Sequence, residues 1–140
     1  MIDRPTTAEL LAAARQFVES ELIPTMADAR LKFQTLIAAN VLAIAERDLA
    51  MEAEHLALEW GWLAELLALA GTRPERIEVL REAVRTGNVQ LCARIRQGWF
   101  DEAETFHALA RQLRPAVERK LAVANPRYLA TAVHGESRPS

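Results

Sequence analysis

One uninterrupted stretch, residues 28–69, constrains the fold more than any other part of the chain. It contains no proline, and its only glycine is Gly61. Its first half, residues 31–45, is apolar on almost every side of a helix. A helix that is apolar all round belongs inside a bundle, with neighbours on more than one face. The stretch therefore predicts an all-α domain built around one long central helix, which we expect to be buried along residues 31–45.

The length of this helix creates a second constraint. A helix over residues 28–69 would be roughly 60 Å long, whereas a compact domain of this chain length is only about 35–40 Å across. After Ala45 charged residues appear, and Leu49, Leu56, Leu63 and Leu67 keep a single apolar stripe. This change predicts either a break or a change of environment within residues 46–54. The stripe over Leu56–Leu69 predicts a homodimer interface.

An amphipathic segment precedes the long helix. Thr6 and Glu9 have the spacing of a capping box, in which a threonine hydroxyl and a glutamate satisfy the first amides of a helix. Apolar residues then recur at helical spacing as far as Leu22, and Pro24 cannot continue the pattern. We therefore expect a first helix over residues 7–22.

Several shorter helices are expected after the long one. Gly87 is expected to end the third helix and Asn88 to begin a short fourth. Pro115 lies inside the last helical pattern and is expected to kink or divide that helix. The result is a single-domain bundle of about five helices over residues 1–130, followed by a flexible C-terminal tail over residues 131–140.

The composition excludes several classes of partner. The formal net charge of −2 provides no general attraction to nucleic acid or to anionic lipid. The longest apolar run is far shorter than the roughly 20 residues that span a bilayer, and no secretory leader begins the chain. The single cysteine, Cys92, rules out an internal disulfide, and its place in an apolar stripe predicts a small buried side chain. We therefore expect a cytoplasmic protein that binds neither nucleic acid nor membrane.

Two Glu-x-x-His pairs, Glu52…His55 and Glu104…His107, each place a carboxylate and an imidazole on one helix face. Two such pairs facing each other across a bundle form a di-metal carboxylate site, provided that other helices supply two more inward carboxylates. The first helix supplies none, because its glutamates lie off its apolar stripe. A di-metal protein is therefore a minor alternative. We predict no metal, no cofactor and no catalytic residue, because the sequence has neither a nucleophile–base pair nor a glycine-rich phosphate loop.

Asn40 is the one polar residue within the buried run, and a buried amide needs hydrogen-bond partners. Two interpretations follow. Asn40 either ties the central helix to a loop or helix end, or it contacts a ligand. In the second case, Phe33, Ile37 and Ile44 would line a pocket for an acyl-type or other small apolar ligand, since bundle cores hold such sites.

Arginine and aromatic residues meet at two places in the second half of the chain. Arg94, Arg96 and Trp99 surround Gly98, and Arg127 precedes Tyr128. Aromatic and arginine side chains are common anchors of protein interfaces. We predict that these five residues bind a partner protein.

Three segments carry a family resemblance: Asp3–Thr6 with Ala8–Leu11; Arg30–Leu49; and Ile95–Gly98 with Asp101 and Lys120–Leu129. In these segments the chain resembles an uncharacterised bacterial all-helical family, a domain of unknown function. The resemblance implies that such proteins are encoded beside aminoglycoside-phosphotransferase-like kinases and acyl-CoA dehydrogenases. It thus implies a non-catalytic accessory protein that partners such a kinase, in acyl-CoA metabolism. The alternative is a bundle that binds an acyl-type small molecule.

Overall fold

A computed structural model describes residues 4–135 of the chain, with side chains as far as residue 131. Over these residues the chain is helical throughout its regular structure and contains no strand. The elements are α1 (Thr7–Phe17), a π-helical turn (Val18–Leu22), α2 (Ile23–Thr25), α3 (Ala29–Leu67), α4 (Ile77–Arg96), α5 (Ala103–Ala124) and α6 (Pro126–Gly135). The predicted all-α class with a long central helix is confirmed. Within the described range, no helix is long and apolar enough to cross a membrane.

The long helix α3 is continuous, so the predicted break within residues 46–54 is wrong. Asp28 begins the helix by accepting the backbone N–H groups of Arg30 and Leu31 at 2.8 and 3.1 Å. The predicted change of environment does occur, because the chain divides into two compact units between Met51 and Glu52. We call the part up to Met51 unit 1 and the part from Glu52 onward unit 2.

Unit 1 begins with the capping box that the sequence predicts. The Glu9 backbone N–H donates to Thr6 Oγ1 at 3.2 Å, and the Thr6 N–H donates to Glu9 Oε2 at 2.7 Å. The helical path does not stop at Leu22, however. It continues through the π-helical turn, in which the Ile23 N–H donates to the Val18 carbonyl, into the single turn α2 that contains Pro24.

The contact between α1 and α3 in unit 1 depends on Arg15. Its Nε and Nη2 donate to Glu46 Oε1 and Oε2 at 2.7 and 3.3 Å, and its Nη1 donates to Glu19 at 2.7 Å. The hydrogen bond to Glu46 is the main reason that the Arg15 pKa is raised above its ordinary value. Arg15 therefore links α1 to α3 through charge-assisted hydrogen bonds. We call the hydrogen bonds of Arg15 to Glu46 and Glu19 the Arg15 clasp.

Apolar side chains remain exposed along unit 1. Among its described residues only Ala39 is fully buried, while Phe33 is 64% exposed and Val41 is 57% exposed. The prediction that residues 31–45 are buried all round is thus wrong for the single chain. The physical reason is that a helix apolar on every side needs several neighbours, whereas in the described residues most side chains of this half of α3 stay open to solvent.

Unit 2 contains the hydrophobic core. Its buried residues come from the second half of α3, from α4 and from α5: Trp62, Leu63, Leu67, Leu80, Val84, Leu91, Leu109 and Ala116. Leu56, Leu66 and Leu69 pack against this cluster. The stripe over Leu56–Leu69 is therefore covered by the chain's own helices, and it does not offer the surface that the predicted homodimer needs.

Helix α4 runs unbroken through Gly87 and Asn88, so the prediction of two helices divided at this point is wrong. Gly87 is buried, and a methyl group built on it would lie 3.2 Å from Leu63 Cδ1. The glycine thus lets α4 approach α3 closely. Asn88 does not cap a helix; its Nδ2 donates to Glu59 Oε1 at 2.6 Å.

The C-terminal helices also differ from the expected pattern. Helix α5 passes through Pro115 without being divided. Helix α6 continues to Gly135, so it includes the first half of the predicted tail. The remaining part of that tail, residues 136–140, lies outside the described residues.

Candidate functional site

The turn that follows α4 presents an aromatic ring to solvent. The helix ends at Arg96, and Gly98 adopts a positive φ of 80°, which reverses the chain at little steric cost. Backbone hydrogen bonds hold the turn: the Trp99 N–H donates to the Arg94 carbonyl at 3.1 Å, and the Asp101 N–H donates to the Gly98 carbonyl at 3.3 Å. The Trp99 side chain is 59% exposed.

Arg94 fixes the position of this ring. Its guanidinium carbon lies 4.7 Å from the centroid of the Trp99 ring, a cation–π contact. Its Nη2 also donates to the Leu67 carbonyl at 3.2 Å, one of the carbonyls that the end of α3 leaves without a helical partner. The residue after Trp99, Phe100, packs against the hydrophobic core. The indole is thus held in place before any partner arrives.

Arg94 and Trp99 together form what we call the Trp99 platform. Arg96 is exposed in the last turn of α4, but two residues from Arg94 along a helix its side chain leaves the helix on another side. Exposed, pre-positioned tryptophan and arginine side chains are the residue types that dominate binding energy at protein interfaces. The platform therefore has the chemistry to bind an acidic protein surface with an apolar patch.

The structure separates the other two predicted partner residues from this platform. Arg127 and Tyr128 lie in the first turn of α6, where the Tyr128 N–H donates to Asn125 Oδ1 at 3.2 Å. Between the two groups runs α5, whose 22 residues span about 33 Å. The five predicted residues are exposed or half-buried, but they form two places and not one.

The four residues predicted to bind a ligand share one face of α3 in unit 1. Their spacings of four, three and four place Phe33, Ile37, Asn40 and Ile44 on one side of the helix. Asn40 is exposed, so the prediction of a core amide tied to a loop or helix end is wrong. The face is open to solvent along Phe33 and Ile37. Binding of an acyl-type ligand to it stays a prediction.

The two Glu-x-x-His pairs lie in different surroundings. Glu52 accepts hydrogen bonds from Arg81 at 2.6 and 2.7 Å, which occupies it as an ion-pair partner. Glu104 and His107 are both exposed on α5. Within the described part of the chain, no group of three or more His, Cys, Asp or Glu residues could hold a metal ion.

Cys92 is exposed on α4 and is not the buried hydrophobic residue that the sequence predicts. The stripe to which it seemed to belong is narrower than expected, because α4 buries Leu80, Val84, Gly87 and Leu91 and turns its other sides to solvent.

Sequence reasoning missed an apolar groove in unit 2. The groove has a volume of about 610 Å³ and is lined by Trp60, Leu69, Val79 and Ala83, with Glu78 and Glu82 also contributing. Glu82 accepts hydrogen bonds from Arg85, which hold its pKa below the ordinary value. The sequence feature that could have indicated the groove is the pair Ala83 and Gly87. These two small residues are four apart, so they lie on one face of the helix and leave space beside it.

Comparison with families of known proteins gives one match of broad extent. The model of a family described as a domain of unknown function, DUF6285, matches residues 24–128, which is three quarters of the chain. Comparisons with curated proteins and with solved structures give no match. The matched range contains the whole of α3, α4 and α5, and the Trp99 platform. The chain belongs to the DUF6285 family.

Proposed function

We propose that this protein is a non-catalytic helical accessory protein of the cytoplasm that binds a partner protein through the Trp99 platform. The observation that carries the proposal is the exposed Trp99 ring, held over Arg94 at 4.7 Å while Arg94 is itself bound to the Leu67 carbonyl. A large apolar ring costs least to bury when its conformation is already fixed.

The resemblance described above favours a phosphotransferase-like kinase, with a role in acyl-CoA metabolism, as the partner. Arg94 places a positive charge against the ring, and Arg96 adds another in the same last turn of α4. The surface that they fit is therefore an acidic one, with an apolar pocket to receive the indole. An acyl-CoA dehydrogenase is the other partner that the resemblance implies, and it forms the second arm of the test.

The proposal is tested by measuring binding of the purified full-length chain to the purified kinase and, separately, to the dehydrogenase. Trp99→Ala is expected to weaken binding to the kinase by about 30-fold or more, because a central anchoring tryptophan contributes 2 kcal/mol or more. Phe106→Ala is the matched control, since Phe106 is another exposed aromatic residue of unit 2, on α5. It is expected to bind like the wild type.

Two results would contradict the proposal. The first is that neither enzyme binds the wild-type chain on gel filtration or in the binding assay. The second is that Trp99→Ala and Phe106→Ala weaken binding equally, which would place the interface elsewhere on unit 2. Binding to the dehydrogenase alone would overturn the choice of kinase while keeping an accessory role for the platform.

A small-molecule role is the second candidate, favoured by the apolar groove between α3 and α4. Its volume of about 610 Å³ lies within the range of ligand pockets. We expect a medium-chain fatty acid to raise the melting temperature of the wild type, and we expect Val79→Glu, which places a charge in the groove, to abolish the rise. Equal shifts in both proteins, or none in the wild type, would count against this candidate.

A further inference from the structure

One face of α3 in unit 1 is apolar and exposed, and no helix among the described residues covers it. We call it the α3 apolar face, and it consists of Phe33, Leu36, Ile37, Asn40, Val41 and Ile44. About half or more of each of Phe33, Leu36, Ile37 and Val41 is exposed, while Ile44 is half-buried. Soluble proteins rarely leave so continuous an apolar strip in water unless it is an interaction surface.

The spacing on this face is that of a helix-to-helix seam. Phe33, Ile37, Asn40 and Ile44 follow intervals of four, three and four residues, and Leu36 and Val41 flank them. Helices that pack side by side present such a pattern to each other. The surface therefore fits another amphipathic helix lying along α3.

Charges at the two ends of the face indicate which helix this is. Arg30 and Asp48 are exposed, and each lies nine residues from Ala39. At about 100° per residue they fall on the same edge of the helix. If two copies of α3 lie antiparallel about a two-fold axis at the level of Ala39, Arg30 of each copy faces Asp48 of the other.

The same axis also accounts for the polar residue in the middle of the face. Asn40 is one residue from Ala39, so the two copies of Asn40 lie only about 3 Å apart along the helix direction. Two amide side chains at this separation can exchange hydrogen bonds. An asparagine in an otherwise apolar seam fixes the register of two helices when it pairs with itself.

The face offers a continuous apolar surface for a contact. Four of its large apolar side chains are each about half or more exposed, and they follow one another over more than two turns of α3. Net charge does not oppose the contact, because residues 4–51 carry five basic and six acidic side chains. We propose that the α3 apolar face binds a second copy of this chain, antiparallel about a two-fold axis near Ala39.

The first experiment measures the dimer dissociation constant of the full-length chain by sedimentation equilibrium. The wild type is expected to dimerise at micromolar concentration. Ile37→Glu places a charge in the centre of the seam and is expected to raise the dissociation constant by about 100-fold or more. The matched control is Leu49→Glu. Leu49 is another exposed apolar residue of α3, but it lies off the α3 apolar face. This variant is expected to dimerise like the wild type, and circular dichroism verifies that both variants stay helical.

The second experiment tests the antiparallel arrangement by exchanging charges. Arg30→Asp alone places two acidic residues opposite each other at both ends of the dimer, and Asp48→Arg alone places two basic residues there. Each variant is expected to dimerise about tenfold more weakly than the wild type, because like charges that face each other repel. An equimolar mixture of the two variants is expected to form the mixed dimer preferentially, since every facing pair is then of opposite charge.

Three results would overturn the proposal. One is a wild-type chain that stays monomeric at about 100 µM, well above the range of a specific interface. Another is an Ile37→Glu variant that dimerises as well as Leu49→Glu. A third is a mixture of the two charge variants that shows no preference for the mixed dimer, which would exclude the antiparallel pairing. None of these measurements involves the Trp99 platform, so the proposed accessory function is tested separately.

Discussion

At the scale of single residues, Gly87 shows how the absence of one side chain sets the packing of two helices. It lies buried in the middle of α4, and a methyl group there would be 3.2 Å from Leu63 Cδ1, itself fully buried. Gly61 is the opposite case, because it is exposed on α3 and a methyl group there would meet nothing within 4 Å. The same residue type thus has a packing role at one position and none at the other.

The two glycines give a matched pair of variants. Gly87→Val is expected to lower the free energy of unfolding by about 1–3 kcal/mol, because the added atoms must displace Leu63 in the core. Gly61→Ala is expected to raise it by about 0.5–1 kcal/mol, because alanine favours a helix and has space there. Urea denaturation measures both. A Gly87→Val protein as stable as the wild type would contradict the close approach of α4 to α3.

The ion pair of Glu82 with Arg85 gives a residue-scale prediction about pH. The hydrogen bonds from Arg85 lower the Glu82 pKa, so the pair stabilises the folded chain above the unfolded pKa of the glutamate. This contribution is lost as the pH falls through the lower, folded pKa. Arg85→Ala is expected to return the Glu82 pKa to its ordinary value. An NMR titration of the carboxyl carbon measures the shift, and an unchanged pKa in Arg85→Ala would exclude Arg85 as its cause.

At the scale of the elements, the Arg15 clasp joins α1 to α3 in unit 1. Glu46 accepts two hydrogen bonds from Arg15 and its side chain is only 20% exposed, whereas Glu19 accepts one and is 46% exposed. The clasp matters because little apolar area is buried in this unit. Charge-assisted hydrogen bonds in a partly buried place contribute more than exposed ones do.

Removing the clasp is expected to loosen α1. Glu46→Ala should make the opening free energy of the α1 amides, measured by hydrogen exchange, about 1 kcal/mol smaller. Glu19→Ala removes the more exposed partner of the same arginine and should change it by less than about 0.5 kcal/mol. If the two variants exchange alike, the connection of α1 to α3 does not depend on Glu46.

The elements also show which structural features the sequence could predict. The capping box at Thr6 and Glu9 depends on local chemistry, and the structure has it. The division expected at Gly87 is wrong, and of the two outcomes expected at Pro115 the division does not occur. At Gly87, tertiary packing overrides the local preference of a residue to break a helix. At Gly87 the packing partner, Leu63, is 24 residues away in the sequence, beyond the reach of any local pattern.

At the scale of the whole molecule, the sequence of α3 predicts how much covering the helix needs but not where the covering comes from. Its second half is covered by α4 and α5, whereas several large apolar side chains of its first half are exposed. Apolar periodicity is the same whether the neighbouring helix belongs to the same chain or to another. For this reason the homodimer was expected at Leu56–Leu69, and the structure leaves the other half of the helix open.

The candidate site was predictable to a similar degree. Residue type alone predicted partner binding by the residues of the Trp99 platform, and this stays a prediction, although the structure does leave Trp99 exposed. The separation of Arg127 and Tyr128 from the platform depends on α5 being one undivided helix, which the presence of Pro115 alone did not decide. The groove beside Val79 could not be predicted, because it depends on how α3 packs against α4, and no local sequence pattern determines that packing.

Hydroxyl-radical footprinting of the wild-type chain over a dilution series tests most directly whether the two halves of α3 are covered in different ways. Phe33 is expected to be protected from oxidation at high protein concentration and to become reactive on dilution, as the second copy dissociates. Trp62, covered by the chain's own core, is expected to stay protected throughout, and Trp99 to stay reactive throughout. Equal oxidation of Phe33 at every concentration would contradict the assignment of the α3 apolar face to a second copy.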